Sequence, residues 1–285
     1  MEHRFRLLNV FTVEGARLSG NPLCVFEDGR GLTDAQMQAL ARQFNLSETT
    51  FLLPETTSEA AAQVRIFTPT WEMPFAGHPT LGSAHVVRDL RGAGDSFALE
   101  MKVGLVRVQA AGDRWRLRAA KAPETRAPAP RADLAAMLGL PEAALGERPL
   151  WVDTGAEQLV IPLRAPADVA RCRPDAGLLA RHGYSEKRGA TMAYVFAPTG
   201  PGEVAARFFF LVDGGLVEDP ATGSACANLG GWHLATGAPL PVDLRVAQGA
   251  EIRRPSRLHL RVEPDGGVYV GGEVIELGRG ALRLD

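Results

Sequence analysis

A pattern in the first half of the chain recurs in the second half. In the first copy a short apolar segment, Arg65-Ile66-Phe67, leads through a loop to a turn that contains Gly77-His78. In the second copy Arg207-Phe208-Phe209 leads in the same way to Asp219-Pro220 and Gly223-Ser224. The two arginines are separated by about half the length of the chain. Two copies are too few for a solenoid, so the pattern predicts two similar lobes that face each other.

Each predicted lobe has mixed α+β structure, with many strands and one long helix. The first lobe covers residues 1–120 and is completed by the last strand of the chain, and the second covers residues 121–285. Residues 121–131 contain three prolines and indicate a linker. Thr33 is the predicted N-cap of a helix that ends near Asn45. Short strands separated by glycine turns are predicted for the tail, at residues 258–262, 268–270 and 281–284.

Composition excludes several classes of function. A content of 46% hydrophobic and 22% charged residues is typical of a globular protein, and a net charge of -2 gives no sign of a surface that binds nucleic acid. No apolar run is long enough for a membrane span, and the first residues do not resemble a secretory signal, which favours a cytoplasmic location. The cysteines, Cys24, Cys172 and Cys226, are odd in number and widely spaced, so we expect inert thiols rather than disulfides or a metal site.

The segment Gly77-His78-Pro79-Thr80 predicts a helix start. Proline suits the first turn, because its missing N–H would be unpaired there in any case. The free amides of such a terminus attract anions and disfavour a positive charge on the imidazole, which leaves His78 neutral and able to transfer protons. The alternative is a histidine that only caps the turn.

The matching segment, Asp219 to Ser224, predicts a second helix start. Gly223 and Ser224 can offer amides to a carboxylate, and Asp219 lies beside them. The alternative is an Asx-Pro turn with an N-cap. The segment around Ser224 lacks the second glycine of a nucleophile elbow, so serine hydrolysis is disfavoured. Neither a dinucleotide-binding motif nor a P-loop occurs in the sequence.

Glu48 begins a strand whose next residues are β-branched and apolar. A carboxylate beside apolar surface can serve as both base and acid. The alternative is a solvated charge at a strand edge.

Several segments together resemble the PhzF family, whose best-known member is the phenazine-biosynthesis isomerase. They lie in one order along nearly the whole chain: Ser19-Gly20-Asn21-Pro22, Asn45-Leu46-Ser47-Glu48-Thr49-Thr50-Phe51, Phe67-Thr68-Pro69, Glu72-Met73-Pro74-Phe75-Ala76-Gly77-His78-Pro79-Thr80, Glu218-Asp219-Pro220-Ala221-Thr222-Gly223-Ser224-Ala225 and Gln248-Gly249-Ala250-Glu251-Ile252.

The resemblance implies a diaminopimelate epimerase-like fold: two pseudo-symmetric lobes, each a curved, mostly antiparallel sheet or barrel around a central helix, with the active site in the cleft. It implies no cofactor, no metal and a homodimer. By motif, Glu48 matches the family's acid/base, and His78 and Asp219 match residues that assist proton movement. The positions that match substrate-binding residues are Asn21, Ser47, Gly77, Gly223 and Ser224.

We therefore expect an isomerase that shifts a proton on a small carboxylate-bearing substrate. A ligand- or protein-binding member of the fold without catalysis is the alternative. An amino-acid epimerase or racemase is a third possibility, disfavoured because residues 72–80 and 216–224 contain none of the cysteines that such enzymes use at the two helix starts.

Overall fold

The computed structural model describes residues 2–284, and these residues have the mixed α+β structure that the sequence predicts. They divide into two compact units. The first unit consists of residues 2–118 and 271–284, and the second consists of residues 119–270.

The first unit contains two helices among its strands. The bounds are β1 (Glu2–Thr12), β2 (Asn21–Phe26), α1 (Asp34–Phe44), β3 (Glu48–Leu53), β4 (Gln63–Phe67), β5 (Glu72–Met73), α2 (Gly77–Arg91), β6 (Ser96–Met101), β7 (Gly104–Ala111), β8 (Arg114–Arg118) and β18 (Val268–Arg283), whose first three residues belong to the second unit. Strand β18 pairs antiparallel with β1, β1 pairs antiparallel with β2, and β2 runs parallel to β3. Next, β3 pairs antiparallel with β4, and β4 runs parallel to β6. Strands β6, β7 and β8 pair in turn, and β8 returns to β18, so the strands close into a barrel.

The second unit repeats this scheme. Its elements are β9 (Glu124–Arg126), α3 (Arg131–Leu138), β10 (Leu150–Asp153), β11 (Gln158–Pro162), α4 (Pro166–Arg171), α5 (Ala176–His182), β12 (Tyr184–Ser185), β13 (Ala190–Gly200), β14 (Glu203–Val212), β15 (Gly215–Asp219), α6 (Gly223–Thr236), β16 (Val242–Gln248) and β17 (Ser256–Val262). The parallel pairs β11–β13 and β14–β16 flank an antiparallel β13–β14 pair, as β2–β3 and β4–β6 flank β3–β4. The internal duplication that the sequence predicts is therefore present in the strand pairing.

Each unit is built around one helix of small residues. Helix α2 contacts β1, β2, β3, β4 and β8, and α6 contacts β10, β11, β16 and β17. Close packing explains the glycines: a Cβ at Gly82 would lie 2.4 Å from Leu23, and one at Gly230 would lie 2.7 Å from Val268. Larger side chains at these positions would collide with strands that surround the helix.

Helix α1 packs on the outer face of the first unit's strands. It starts at the predicted N-cap, Thr33, which forms a capping box with Gln36, and it ends at the predicted position, where Asn45 has the left-handed conformation. Phe51 and Phe67 lie under this helix and pack edge to face, with ring centroids 5.5 Å apart. The strands of the first unit therefore have an outer face toward α1 and an inner face toward α2.

Two predictions about irregular segments are wrong. The expected linker at residues 121–131 contains β9, which pairs with β10. The expected turn in the tail is absent, because residues 268–283 form one continuous strand. Glycines there allow close approach rather than turning: a Cβ at Gly271 would lie 2.2 Å from the carbonyl oxygen of Trp115, and one at Gly280 would lie 2.5 Å from the Phe5 ring.

Candidate active site

Glu48 lies on the inner face of the first unit, at the first residue of β3. Side chains alternate along a strand, so Glu48 and Thr50 point to the same side. The hydroxyl of Thr50 accepts a hydrogen bond of 2.9 Å from Ser83 of α2, which identifies that side as the one facing the helix. The carboxylate of Glu48 is consequently directed to α2, with 15% of its side chain exposed.

His78 is the second residue of α2 and meets Glu48 there. Its Nε2 atom lies 3.4 Å from Oε2 of Glu48. The imidazole bonds to the backbone of Pro22, which has only a carbonyl acceptor. Within residues 2–284, Nε2 has no hydrogen-bond partner, so the ring N–H that donates to Pro22 is Nδ1–H. The lone pair of Nε2 therefore faces the carboxyl group of Glu48.

Burial keeps His78 neutral. Only 5% of the residue is exposed, and this desolvation lowers the pKa of His78 to about 3, although the bond to Pro22 acts in the opposite direction. A neutral imidazole can accept a hydrogen bond from the protonated carboxyl group of Glu48 at Nε2, but it carries no positive charge that would neutralise the ionised carboxylate. The two groups form a pair with room for one shared proton.

The amides at the start of α2 are available to an anion. Ala76 is the N-cap and provides no side-chain hydrogen bond, and Pro79 has no N–H. The amides of Gly77 and His78 therefore lie at the positive end of the helix dipole without a capping side chain. A carboxylate bound there would lie beside the Glu48 and His78 side chains.

Asn21 and Ser47 complete the predicted set in the first unit. Asn21 is fully buried at the start of β2, next to the Pro22 that binds His78. Ser47 directly precedes Glu48, and its Oγ lies 3.5 Å from Oδ1 of Asn21. The structure thus brings Glu48, His78, Gly77, Asn21 and Ser47 together at one end of α2.

The second unit holds Asp219, Gly223 and Ser224 at the start of α6. Asp219 ends β15, and its Oδ2 accepts a hydrogen bond of 2.6 Å from Thr222. Gln248 donates to the carbonyl oxygen of Asp219 and to the hydroxyl of Thr222, which fixes the turn. Thr222 is the N-cap and makes no side-chain capping bond, so the amides of Gly223 and Ser224 resemble those at the start of α2.

Ser224 is held as a hydrogen-bonding residue. Its hydroxyl accepts a bond of 2.9 Å from Gln158, whose own side-chain oxygen accepts from the buried Asn228. The amide of Gln158 is a donor and not a base. This environment gives no activation to a serine nucleophile.

The two helix starts occupy equivalent positions in the duplicated fold, but the side chains around them differ chemically. Arg65 pairs with Phe51 in the first unit, and Arg207 pairs with Val195 in the second. Glu48 lies three residues before Phe51, and Met192 lies three residues before Val195. The position equivalent to Glu48 in the second unit is therefore occupied by the buried Met192. Likewise, Gly77 is followed by His78, whereas Gly223 is followed by Ser224. The carboxylate–imidazole pair belongs to the first unit alone.

Two arginine–glutamate pairs, which the sequence reasoning did not recognise, hold the segments before the helices. Arg65 donates two bonds of 2.8 Å to Glu72, and Arg207 donates two bonds of 3.0 and 2.6 Å to Glu218. Each glutamate stands five residues before the glycine that opens its helix. A signal was present, because both arginines mark the repeat, but their partners lie in the short strands β5 and β15, whose pairing the sequence does not specify.

The thiols have no part in this arrangement. Cys24, Cys172 and Cys226 are free and buried. Burial raises the pKa of Cys172 to about 12 and also raises the pKa of the other two thiols, so none is a ready nucleophile. Within residues 2–284 no group of histidine, cysteine and acidic side chains could hold a metal ion. The helices in this range are all too short or too polar to cross a bilayer.

Comparison with known families decides the assignment. The family model described as phenazine biosynthesis-like protein, PhzC-PhzF, matches residues 8–278. The chain belongs to this family. An uncharacterized isomerase of Pasteurella multocida is 39% identical, over 98% of this chain and 94% of its own. The trans-2,3-dihydro-3-hydroxyanthranilate isomerase of Pseudomonas aeruginosa is 33% identical, over 93% of this chain and 92% of its own. By family and by these relatives the chain is an isomerase.

Solved structures confirm the predicted fold. A PhzF-family protein of Bacillus anthracis superposes with a TM-score of 0.84 at 22% identity, over the full length of both chains. A hydroxyproline epimerase of Agrobacterium vitis superposes with a TM-score of 0.61 at 11% identity, covering 100% of this chain and 93% of its own. The fold is therefore the diaminopimelate epimerase-like one that the sequence motifs imply.

Proposed function

We propose that this chain is a cofactor-independent isomerase that moves a proton between carbon atoms of a small carboxylate-bearing substrate, with Glu48 as base and acid. The observation that carries the proposal is the Glu48–His78 pair at the uncapped start of α2. The equivalent position in the second unit is Met192, so the duplicated fold does not repeat the Glu48 carboxylate. A proton shift by a single carboxylate needs one such group.

The proposed reaction uses the chain's own groups in order. The amides of Gly77 and His78 bind the substrate carboxylate at the start of α2. Ionised Glu48 takes a proton from a substrate carbon, and the charge that develops is stabilised by the same helix end. The carboxyl group then returns the proton to a second carbon, so that substrate and product are isomers. Nε2 of His78 accepts a hydrogen bond from protonated Glu48 and keeps it oriented between the two steps.

The residues of the second unit have supporting roles in the proposed reaction. We assign Asp219 to proton movement and Gly223 with Ser224 to substrate binding, supported by their motif and by the uncapped start of α6. Asn21 and Ser47 are proposed to shape the site around Glu48. A homodimer in the reducing cytoplasm is proposed from the family resemblance and the three free, buried thiols, and sedimentation of the purified protein tests the dimer.

The first substrate to test is trans-2,3-dihydro-3-hydroxyanthranilate, on which the Pseudomonas aeruginosa relative acts by name. Its conversion is followed by NMR with the wild type, Glu48→Gln and Glu59→Gln. Glu59 is an exposed glutamate of the same unit, so it controls for the substitution itself. We expect conversion by the wild type and Glu59→Gln, and a loss of at least about 100-fold in Glu48→Gln.

Circular dichroism and the midpoint of thermal unfolding establish that Glu48→Gln is folded. Full activity of this folded variant would refute the role of Glu48. Failure of the wild type to convert this compound would exclude it as the substrate, and failure with a panel of unsaturated carboxylates that nevertheless bind tightly would favour a ligand-binding protein without catalysis.

A further inference from the structure

A series of hydrogen bonds inside the second unit ends at the hydroxyl of Ser224. It begins at the backbone N–H of Thr154, which donates to Oδ1 of Asn228 over 2.9 Å. Nδ2 of Asn228 donates to Oε1 of Gln158 over 2.8 Å, and Nε2 of Gln158 donates to Oγ of Ser224 over 2.9 Å. Asn228 and Gln158 are 0% and 1% exposed, so their amides rely on these protein partners rather than on bulk water.

Backbone groups around Asn228 fix the direction of this series. A backbone N–H can only donate, so the Asn228 atom that faces Thr154 must be the side-chain oxygen. The carbonyl oxygen of Ala156 can only accept, and it lies 2.7 Å from Nδ2, so that side of Asn228 must carry the amino group. Because Asn228 therefore donates to Gln158, the oxygen of the Gln158 amide faces Asn228 and its amino group faces Ser224. Reversal of either amide would bring two donors or two acceptors into contact inside the unit.

The hydroxyl of Ser224 is consequently left with a proton to donate. A serine hydroxyl has one proton and two acceptor positions, and the amino group of Gln158 occupies an acceptor position. Within residues 2–284 the hydroxyl makes no hydrogen bond as a donor. Its proton is therefore available at the start of α6, beside the backbone amides of Gly223 and Ser224.

In the first unit apolar residues stand at the positions of the two buried amides. Counted from the glycines that open the two helices, Asn228 occupies the position of Gly82. The parallel pairs β2–β3 and β11–β13, aligned on the strand partners of the two arginines, place Gln158 at the position of Leu23. Gly82 and Leu23 pack closely and fill the equivalent space without hydrogen bonds between their side chains. Packing of the duplicated fold therefore does not require the amide series, and its role lies at Ser224.

We infer that Gln158 and Asn228 are positioning residues that make the Ser224 hydroxyl a hydrogen-bond donor to an anionic oxygen of a ligand at the start of α6. This inference rests on the proposed function, which assigns Ser224 to substrate binding, and adds the two amides that set the direction of its hydroxyl. A serine whose proton is used elsewhere would present a lone pair to the ligand. Here the hydroxyl instead adds a third donor to the two amides of the helix start.

The test measures how much the Ser224 hydroxyl contributes to binding of benzoate, a small carboxylate. Dissociation constants are determined by ligand-observed NMR for pairs of proteins with and without Ser224→Ala. The pairs carry the native sequence, Gln158→Glu or, as a control for added charge, Gln43→Glu at an exposed position of α1. In Gln158→Glu an ionised carboxylate still accepts from Asn228, but it also accepts a hydrogen bond from Ser224, whose proton is then no longer available to the ligand.

We expect Ser224→Ala to weaken benzoate by at least about 10-fold in the native and Gln43→Glu proteins. In Gln158→Glu at about pH 9 we expect a factor of less than about two, which should rise again as the pH is lowered and the carboxyl group binds a proton. Each comparison holds residue 158 constant, so charge repulsion from the new carboxylate cancels. An unchanged factor in Gln158→Glu, no effect of Ser224→Ala in the native protein, or no binding of benzoate would overturn the inference.

Neutron diffraction from crystals of the deuterated native protein decides the same point without a variant, should Gln158→Glu fail to fold. We expect the deuterons of the Gln158 amide on the atom nearest to Oγ of Ser224, and the serine deuteron directed away from Gln158. The opposite arrangement would overturn the inference. Full activity of folded Glu48→Gln would overturn the proposed function, but it would leave both measurements as they stand.

Discussion

The neutral state of His78 predicts that mild acid destabilises the protein. The buried imidazole has a pKa of about 3, whereas a histidine in the unfolded chain titrates near 6.5. As the pH falls below about 6.5, the unfolded chain binds a proton at this position and the folded chain does not. The contribution of His78 to stability is therefore greatest above pH 6.5 and decreases as the pH falls toward 3.

The magnitude follows from the two pKa values. At about pH 5 the unfolded imidazole is almost fully protonated and the folded one almost fully neutral, which corresponds to about 2 kcal/mol. The substitution His78→Gln removes this titration and retains a side chain that can donate to the carbonyl oxygen of Pro22. Burial also lowers the pKa of His85 and His233, but these residues are common to both proteins and cancel in the comparison.

The assay is urea unfolding of the wild type and His78→Gln at about pH 7.5 and pH 5. We expect the wild type to lose about 2 kcal/mol more than the variant between the two conditions. In the wild type the ring resonances of His78 should also show no titration near pH 6.5. An equal loss of stability in both proteins, together with a His78 midpoint near 6.5, would refute the account of a buried neutral imidazole.

Three further predictions follow from packing and charge. Arg207→Ala should lower the free energy of unfolding by about 3 kcal/mol or more, because it leaves Glu218 buried without its partner. The loss should be larger than that caused by Arg65→Ala, whose ion pair is more exposed, and equal urea midpoints of the two variants would contradict this. Gly271→Ala should destabilise by about 1–3 kcal/mol, since its Cβ would press on the Trp115 carbonyl, whereas Gly278→Ala has open space; matching thermal midpoints would contradict this. Native protein should show no fast reaction with a thiol reagent, and all three cysteines should react after unfolding; rapid labelling of Cys226 in native protein would revive the racemase alternative.

Local chemistry made much of the fold predictable. The α1 start was visible in Thr33, because capping uses residues that are close in sequence. The two helix starts were visible in Gly77 and Gly223 because the repeat displayed them twice. The continuous strand β18 was not visible, since glycine has the same sequence signature in a turn as at a close approach between strands. Only the position of Trp115 and Phe5 distinguishes the two cases.

The candidate site, like the fold, could be predicted only in part from the sequence. His78 could be predicted as a neutral group at a helix end, but the structure attributes its neutrality to burial and shows the Pro22 bond that fixes its tautomer. Glu48 could be selected only by family motif, because the strand register that turns it toward α2 is a long-range property. The same register reveals Met192 as its equivalent, a relation that no short motif contains.

The central claim is that Glu48 carries the proton. It is tested most directly by incubating unsaturated carboxylates in deuterium oxide with the wild type, Glu48→Gln and Glu59→Gln, and by locating deuterium in recovered compounds by mass spectrometry and NMR. The account predicts incorporation at the carbons between which the proton moves with the wild type and Glu59→Gln, and none above background with folded Glu48→Gln. Incorporation by Glu48→Gln at the wild-type rate would contradict it.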